Sequence, residues 1–186
     1  MNCDVVIVGA GPAGIFTALE LLRQCSRKKI ILLEKGKAIE QRRCPKHQTG
    51  HCMGCQSCAI TTGFSGAGAF SDGKLSLSCE VGGDLPQLIG EALAQETISY
   101  TDSIYMEFGA DPHVEGIGKK EEIKEIRRNA IRAGLKLVDC PIRHLGTEKA
   151  QQIYLAIEQY LLQNGVEILF GCECEDVLLQ NGRCIG

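Results

Sequence analysis

A chain of 186 residues, 44% hydrophobic and 23% charged, has the composition of a globular domain with a real core, which excludes disorder along its whole length. Its 20 Lys and Arg against 23 Asp and Glu leave a formal net charge of −3, which excludes the basic footprint of a nucleic-acid-binding domain. No apolar run reaches the roughly 18–20 residues of a membrane span, and residues 1–22 lack the basic start of a secretory signal and are broken by Gly9, Gly11, Pro12 and Gly14, so a cytoplasmic protein with mostly reduced thiols is expected.

Residues 3–8 (CDVVIV) read as a short strand buried on both faces of a parallel sheet. GAGPAG follows, and Ile15, Ala18, Leu19 and Leu22 then recur at spacings of three and four, so a helix begins at once. KIILL, residues 29–33, is a second buried strand closed by Glu34 and Lys35, which completes a βαβ unit. From Gly36 to Ser78 periodicity vanishes and Gly, Cys, Ser and Thr crowd together, a loop too long to be passive in a compact domain. Residues 85–94, 97–108 and 120–133 read as helices, the last stopped by Gly134. Residues 135–138 read as a strand. Thr147 suits an N-cap, with Glu148 in the first turn and Ile153, Ile157, Tyr160 and Leu161 on one helical face. Residues 166–179 read as a strand pair running into Asn181-Gly182, a hairpin signal. The returning strand is cut four residues after that turn, which suggests the N-terminal part of a longer chain whose remainder is a partner of this segment.

The fold class is therefore α/β, a Rossmann-like dinucleotide-binding domain with a parallel sheet. A Cys/Gly-rich loop at 36–80 and a mostly helical insertion at 81–146 interrupt it. Gly9, Gly11 and Gly14 follow a strand and open a helix, and Glu34 lies twenty residues after Gly14 at the end of the next strand. Gly9 permits the tight turn, Gly11 lets a pyrophosphate approach the backbone, and Gly14 lets the helix pack on the strand. Glu34 accepts from a ribose 2′-hydroxyl and disfavours a 2′-phosphate. This geometry does not choose between NAD and FAD.

The segment GAGPAG, with Ala18 and then LLEKG, resembles the FAD-binding region of glutathione-reductase-like oxidoreductases. GAGAFSDGKLSLS from Gly66, with DLPQLIGEA, IYMEFGAD and PIRHLGTE downstream, is more closely similar to a family of uncharacterised FAD-dependent dehydrogenases marked by a GGAGxFSDGKL stretch. That resemblance implies a flavin-dependent oxidoreductase that binds FAD through Gly9, Ala10, Gly11, Pro12, Ala13, Gly14, Glu34 and Lys35. It implies a loop of Gly66, Ala67, Gly68, Ser71, Asp72 and Lys74 near the pyrophosphate and flavin, and the main chain of Cys174 beside the adenine. Ser65 stands where the family's glycine is expected. Lys74 is a candidate cation for the reduced flavin and His144, in PIRHLGTE, a candidate acid or base. The partner is a small-molecule substrate or an electron donor or acceptor. The rival reading is a dinucleotide-binding module without turnover.

Eleven cysteines also need a reason. Cys44, Cys52, Cys55 and Cys58 form C-x7-C-x2-C-x2-C, a spacing that suits an iron–sulfur cluster, structural zinc or a redox disulfide, and equally suits plain reduced thiols. The seven others, Cys3, Cys25, Cys79, Cys140, Cys172, Cys174 and Cys184, read as small apolar residues.

Overall fold

The computed structural model describes residues 2–24 and 27–186, so Cys25 lies outside the described residues. In chain order its elements are β1 (Val5–Val8), α1 (Pro12–Gln24), β2 (Ile30–Glu34), α2 (Lys46–Thr49), β3 (Lys74–Ser76), α3 (Leu85–Ile89), α4 (Glu91–Glu107), α5 (Lys120–Arg132), β4 (Ile142–His144), α6 (Thr147–Gln163), β5 (Glu167–Phe170), β6 (Leu179–Gln180) and β7 (Arg183–Cys184). Short 3-10 turns occupy Ile39–Gln41 and Gly66–Phe70. Two compact units result, one holding residues up to Phe70 together with Tyr154–Gly186, the other Ser71–Ile153.

The first unit is built on a parallel sheet of order β1-β2-β5, with Val5 opposite Ile30 and Ile31 opposite Glu167. The middle strand is the most buried, as a strand covered on both faces must be: Ile30, Ile31 and Leu32 are buried. The core continues through Ile7, Ile15, Ala18, Leu19, Phe64, Ile157 and Leu161. β1 forms one edge of the sheet, and Val6 and Val8 are 47% and 59% exposed. The strand pair expected at 166–179 is a single strand. It stops where Gly171 takes φ +67° and donates to Gly36 O, and Cys172 donates to Glu34 O, which draws the chain off the ladder. The Asn181-Gly182 turn forms as expected, with φ of +51° and +73° between β6 and β7, the pair of left-handed residues a two-residue I′ turn needs. The buried carboxylate of Glu158 on α6 accepts from Ile39 N–H at 3.1 Å.

The second unit pairs β3 with β4 antiparallel, Lys74 opposite His144 and Leu75 opposite Arg143. The strand expected at 135–138 is irregular chain, with Leu135 exposed, and the ladder forms at 142–144 instead, where Ile142 also bridges Glu115. The helix boundary expected between residues 94 and 97 falls at Gly90, whose φ of +85° ends α3 and leaves α4 unbroken. Arg143, 5% exposed, organises this unit. Its Nε and Nη2 donate to the two oxygens of Asp102 at 2.6 and 2.8 Å, and its Nη1 donates to the carbonyls of Asp111 and His113. One guanidinium thus joins β4, α4 and the turn after α4, and the bidentate bond to Asp102 raises its pKa.

Replacing Arg143 with Met leaves Asp102 desolvated and unpaired, and urea denaturation should show a loss of about 3 kcal/mol or more. Burial pushes the Glu158 carboxyl above its ordinary range, against the opposing pull of Ile39 N–H. A raised carboxyl pKa means that the folded chain holds the proton more tightly than the unfolded one. Glu158 thus contributes stability below the ordinary carboxyl range, and that contribution is lost as pH rises through its folded value. Glu158→Gln should flatten the fall in melting temperature between mildly acidic and neutral pH, as read by a thermal scan at each pH.

Candidate dinucleotide site

β1 ends at Val8 and the chain must reverse at once into α1. Gly9 does this with φ +94° while its N–H bonds Leu33 O, which keeps the turn in register with β2. A Cβ on Gly14 would lie 1.9 Å from Gly9 O, so only glycine permits this approach of helix and strand. A Cβ on Gly11 would meet nothing within 4 Å. The space over Gly11 is open, and it faces the first turn of a 13-residue helix whose leading N–H groups favour an anion.

Glu34 closes the other side. It is 5% exposed, and its Oε2 accepts from Ala10 N–H at 2.8 Å while its Oε1 accepts from Gly36 N–H at 2.7 Å. Each carboxylate oxygen keeps a further lone pair for a hydroxyl donor. The far wall comes from residues 61–66. Phe64 N–H bonds Lys37 O, Ser65 N–H bonds Ala10 O at 2.7 Å, and the Cβ position of Gly66 lies 3.8 Å from Gly11 Cα. Ser65 is fully buried with φ +71°, so a serine adopts the left-handed conformation that a glycine occupies more cheaply. Cys172, Glu173 and Cys174 complete a cleft of about 390 Å³. At its rim Lys35 Nζ lies 3.4 Å from Glu173 Oε1.

Of the residues singled out from sequence, Gly9, Gly11, Glu34, Lys35, Gly66 and Cys174 line this cleft. Ala10 is buried behind it, Pro12 and Ala13 form the exposed first turn of α1, and Gly14 lies beneath. Ala67 and Gly68 lie on the following 3-10 turn, where a Cβ on Gly68 would press on Tyr154 Oη at 2.9 Å. Ser71, Asp72 and Lys74 belong to the second unit. There Ser71 Oγ accepts from Gly73 N–H, and Lys74 forms a 2.7 Å ion pair with Asp72, which lowers the carboxyl pKa and raises the ammonium pKa. His144 sits opposite Lys74 across the ladder, with Nε2 3.4 Å from Glu115 Oε2. Thr61, Thr62, Gly63 and Cys172 also line the cleft, although no periodicity or motif marks them.

The four cysteines of the 36–80 loop are not gathered into a metal site. Among the described residues no group of three or more His, Cys, Asp or Glu is placed to hold an ion. Cys52 and Cys55 face solvent as free thiols. Cys44 sits at the entry to α2, where its carbonyl accepts from His47 N–H. Cys58 opens the turn ahead of the far wall. Hydrogen bonds from Ile60 and Thr61 N–H pull its thiol pKa down, with a smaller contribution from the Arg42 cation. Density of cysteines along the chain has not become convergence in space.

The residues present suit the ADP half of a dinucleotide: an open glycine backbone at a helix start beside a fixed carboxylate with free lone pairs. From residue 4 to 186 the chain matches the family model described as FAD dependent oxidoreductase, and it belongs to that family. Among solved structures it is similar to L-amino acid deaminase from Proteus vulgaris, with a TM-score of 0.50 and 16% identity over 98% of this chain and 43% of that one. It is also similar to the 3-ketosteroid-delta4-(5alpha)-dehydrogenase from Rhodococcus jostii RHA1, with a TM-score of 0.49 and 14% identity over 91% of this chain and 38% of that one. The first likeness shows a shared α/β fold. This chain spans less than half the length of either structure. No curated protein matches it. No helix among the described residues is long and apolar enough to cross a membrane.

Because only the thiolate reacts, iodoacetamide at neutral pH should alkylate Cys58 faster per exposed area than Cys52 or Cys55. Peptide mass spectrometry over a time course measures this.

Proposed function

We propose that this chain binds FAD through its ADP half in the cleft between the Gly9–Gly14 turn, Glu34 and residues 61–66, and serves a flavin-dependent dehydrogenase or reductase acting on a small molecule. One observation carries the reading: a buried carboxylate, aimed by two backbone N–H groups, faces open glycine backbone at the start of α1. The flavin supplies hydride or electron transfer when bound. The chain's part is to hold the ribose at Glu34 and the diphosphate at the N–H groups around Gly11. Gly66, Ala67 and Gly68 extend the cradle. Lys74 is proposed as the cation favouring reduced flavin, Ser71 and Asp72 as polar contacts to the cofactor, and His144 as an acid or base. The resemblance to the GGAGxFSDGKL-type dehydrogenases supports this assignment. The reading requires neither an iron–sulfur cluster nor zinc on Cys44, Cys52, Cys55 and Cys58. A cytoplasmic location fits its expected reduced thiols.

Protein purified with its full natural chain should show the two-banded absorption of oxidised flavin, bleached by dithionite. Glu34→Gln replaces one acceptor oxygen by an NH2 that must face a backbone N–H, and so should weaken FAD binding by about tenfold or more in a fluorescence titration. Colourless protein that takes up no FAD would sink the proposal.

A further inference from the structure

Arg42 is 4% exposed, and its hydrogen bonds go to uncharged oxygens. Nε donates to Ala59 O at 2.9 Å, Nη2 to Ile60 O at 2.8 Å, and Nη1 to Phe64 O at 2.6 Å and, more weakly, to Ser65 Oγ at 3.5 Å. The guanidinium carbon lies 4.5 Å from the centre of the Phe70 ring. Gly63, at φ +122°, leaves the room it needs, since a Cβ there would fall 2.7 Å from Arg42 Cδ and 2.9 Å from Nε. A rigid fork with five donors can span carbonyls from three residues, and a single ammonium cannot. Residues 59–65 make no strand ladder of their own, so this side chain sets their path.

That path reaches the cleft through one peptide. Ser65 N–H, held next to the Phe64 carbonyl that Arg42 grips, donates to Ala10 O. Because a trans peptide is planar, fixing Ala10 C=O toward Ser65 fixes Gly11 N–H in the opposite direction. Glu34 holds Ala10 N–H on the other side. Arg42 is also a buried cation that feels the Glu34 charge without bonding to it.

Resting on the reading of the cleft as a dinucleotide site, we infer that Arg42 is its positioning residue for the diphosphate. It pins the far wall and orients the 10–11 peptide. It touches no ligand itself.

The test compares FAD, ADP and adenosine binding by calorimetry in the unaltered protein, Arg42→Met and Arg42→Lys. Arg42→Met should weaken FAD and ADP by about tenfold or more and adenosine by less than about twofold, because adenosine lacks the diphosphate. Arg42→Lys should recover only part of the ADP affinity. Should Arg42→Met fail to fold, Arg42→Gln carries the same test: its amide reaches at most two of the carbonyls that the guanidinium spans, and it should lower ADP affinity relative to adenosine in the same sense. Equal losses for ADP and adenosine, or unchanged ADP affinity, in a protein that binds both overturn the inference and leave the FAD reading standing. Failure of the unaltered protein to bind FAD or ADP overturns both.

Discussion

The carboxylate of Glu34 is the constraint on which the first unit turns. A buried carboxylate is costly unless its lone pairs are filled, and here two main-chain N–H groups fill half of them. One comes from the turn after β1 and the other from the exit of β2, while the carbonyl of the same residue receives Cys172 N–H from the chain leaving β5. Three strand ends are thereby fixed at one residue. The cleft owes its shape to that convergence.

The two buried guanidinium groups show how differently one kind of side chain is used. Arg143 meets both oxygens of Asp102, so its charge is spent inside the second unit as a joint between elements. Arg42 meets carbonyl dipoles and an aromatic face, so its donors shape one loop rather than close an ion pair. A closed ion pair joins elements across a unit, whereas a guanidinium shared among carbonyls sets the course of a wall that has no ladder of its own.

The βαβ unit and its glycine turn were legible because they are local. A β-branched run, three glycines at fixed spacing and a carboxylate at the next strand end each follow from a few contiguous residues. The Asn181-Gly182 turn was legible for the same reason. The β3–β4 ladder was not: three-residue strands sixty-odd positions apart carry too few side chains for a period, and the apolar residues at 135–138 offered a better pattern that found no partner. The far wall was equally hidden, because Arg42 acts through carbonyls and carbonyls have no sequence signature. The cysteine loop misled in the opposite sense. Its spacing is compatible with a shared ion, but thiols meet only if the backbone folds them inward, and Cys52 and Cys55 point to water.

Among the described residues β1 has a hydrogen-bonded neighbour on one side only, and the valines of its exposed face carry no charge that would discourage a second strand. Such an edge is a template for whatever extended backbone comes near, whether native or foreign. The strand that carries the glycine turn is thus also a place where a further extended backbone could pair.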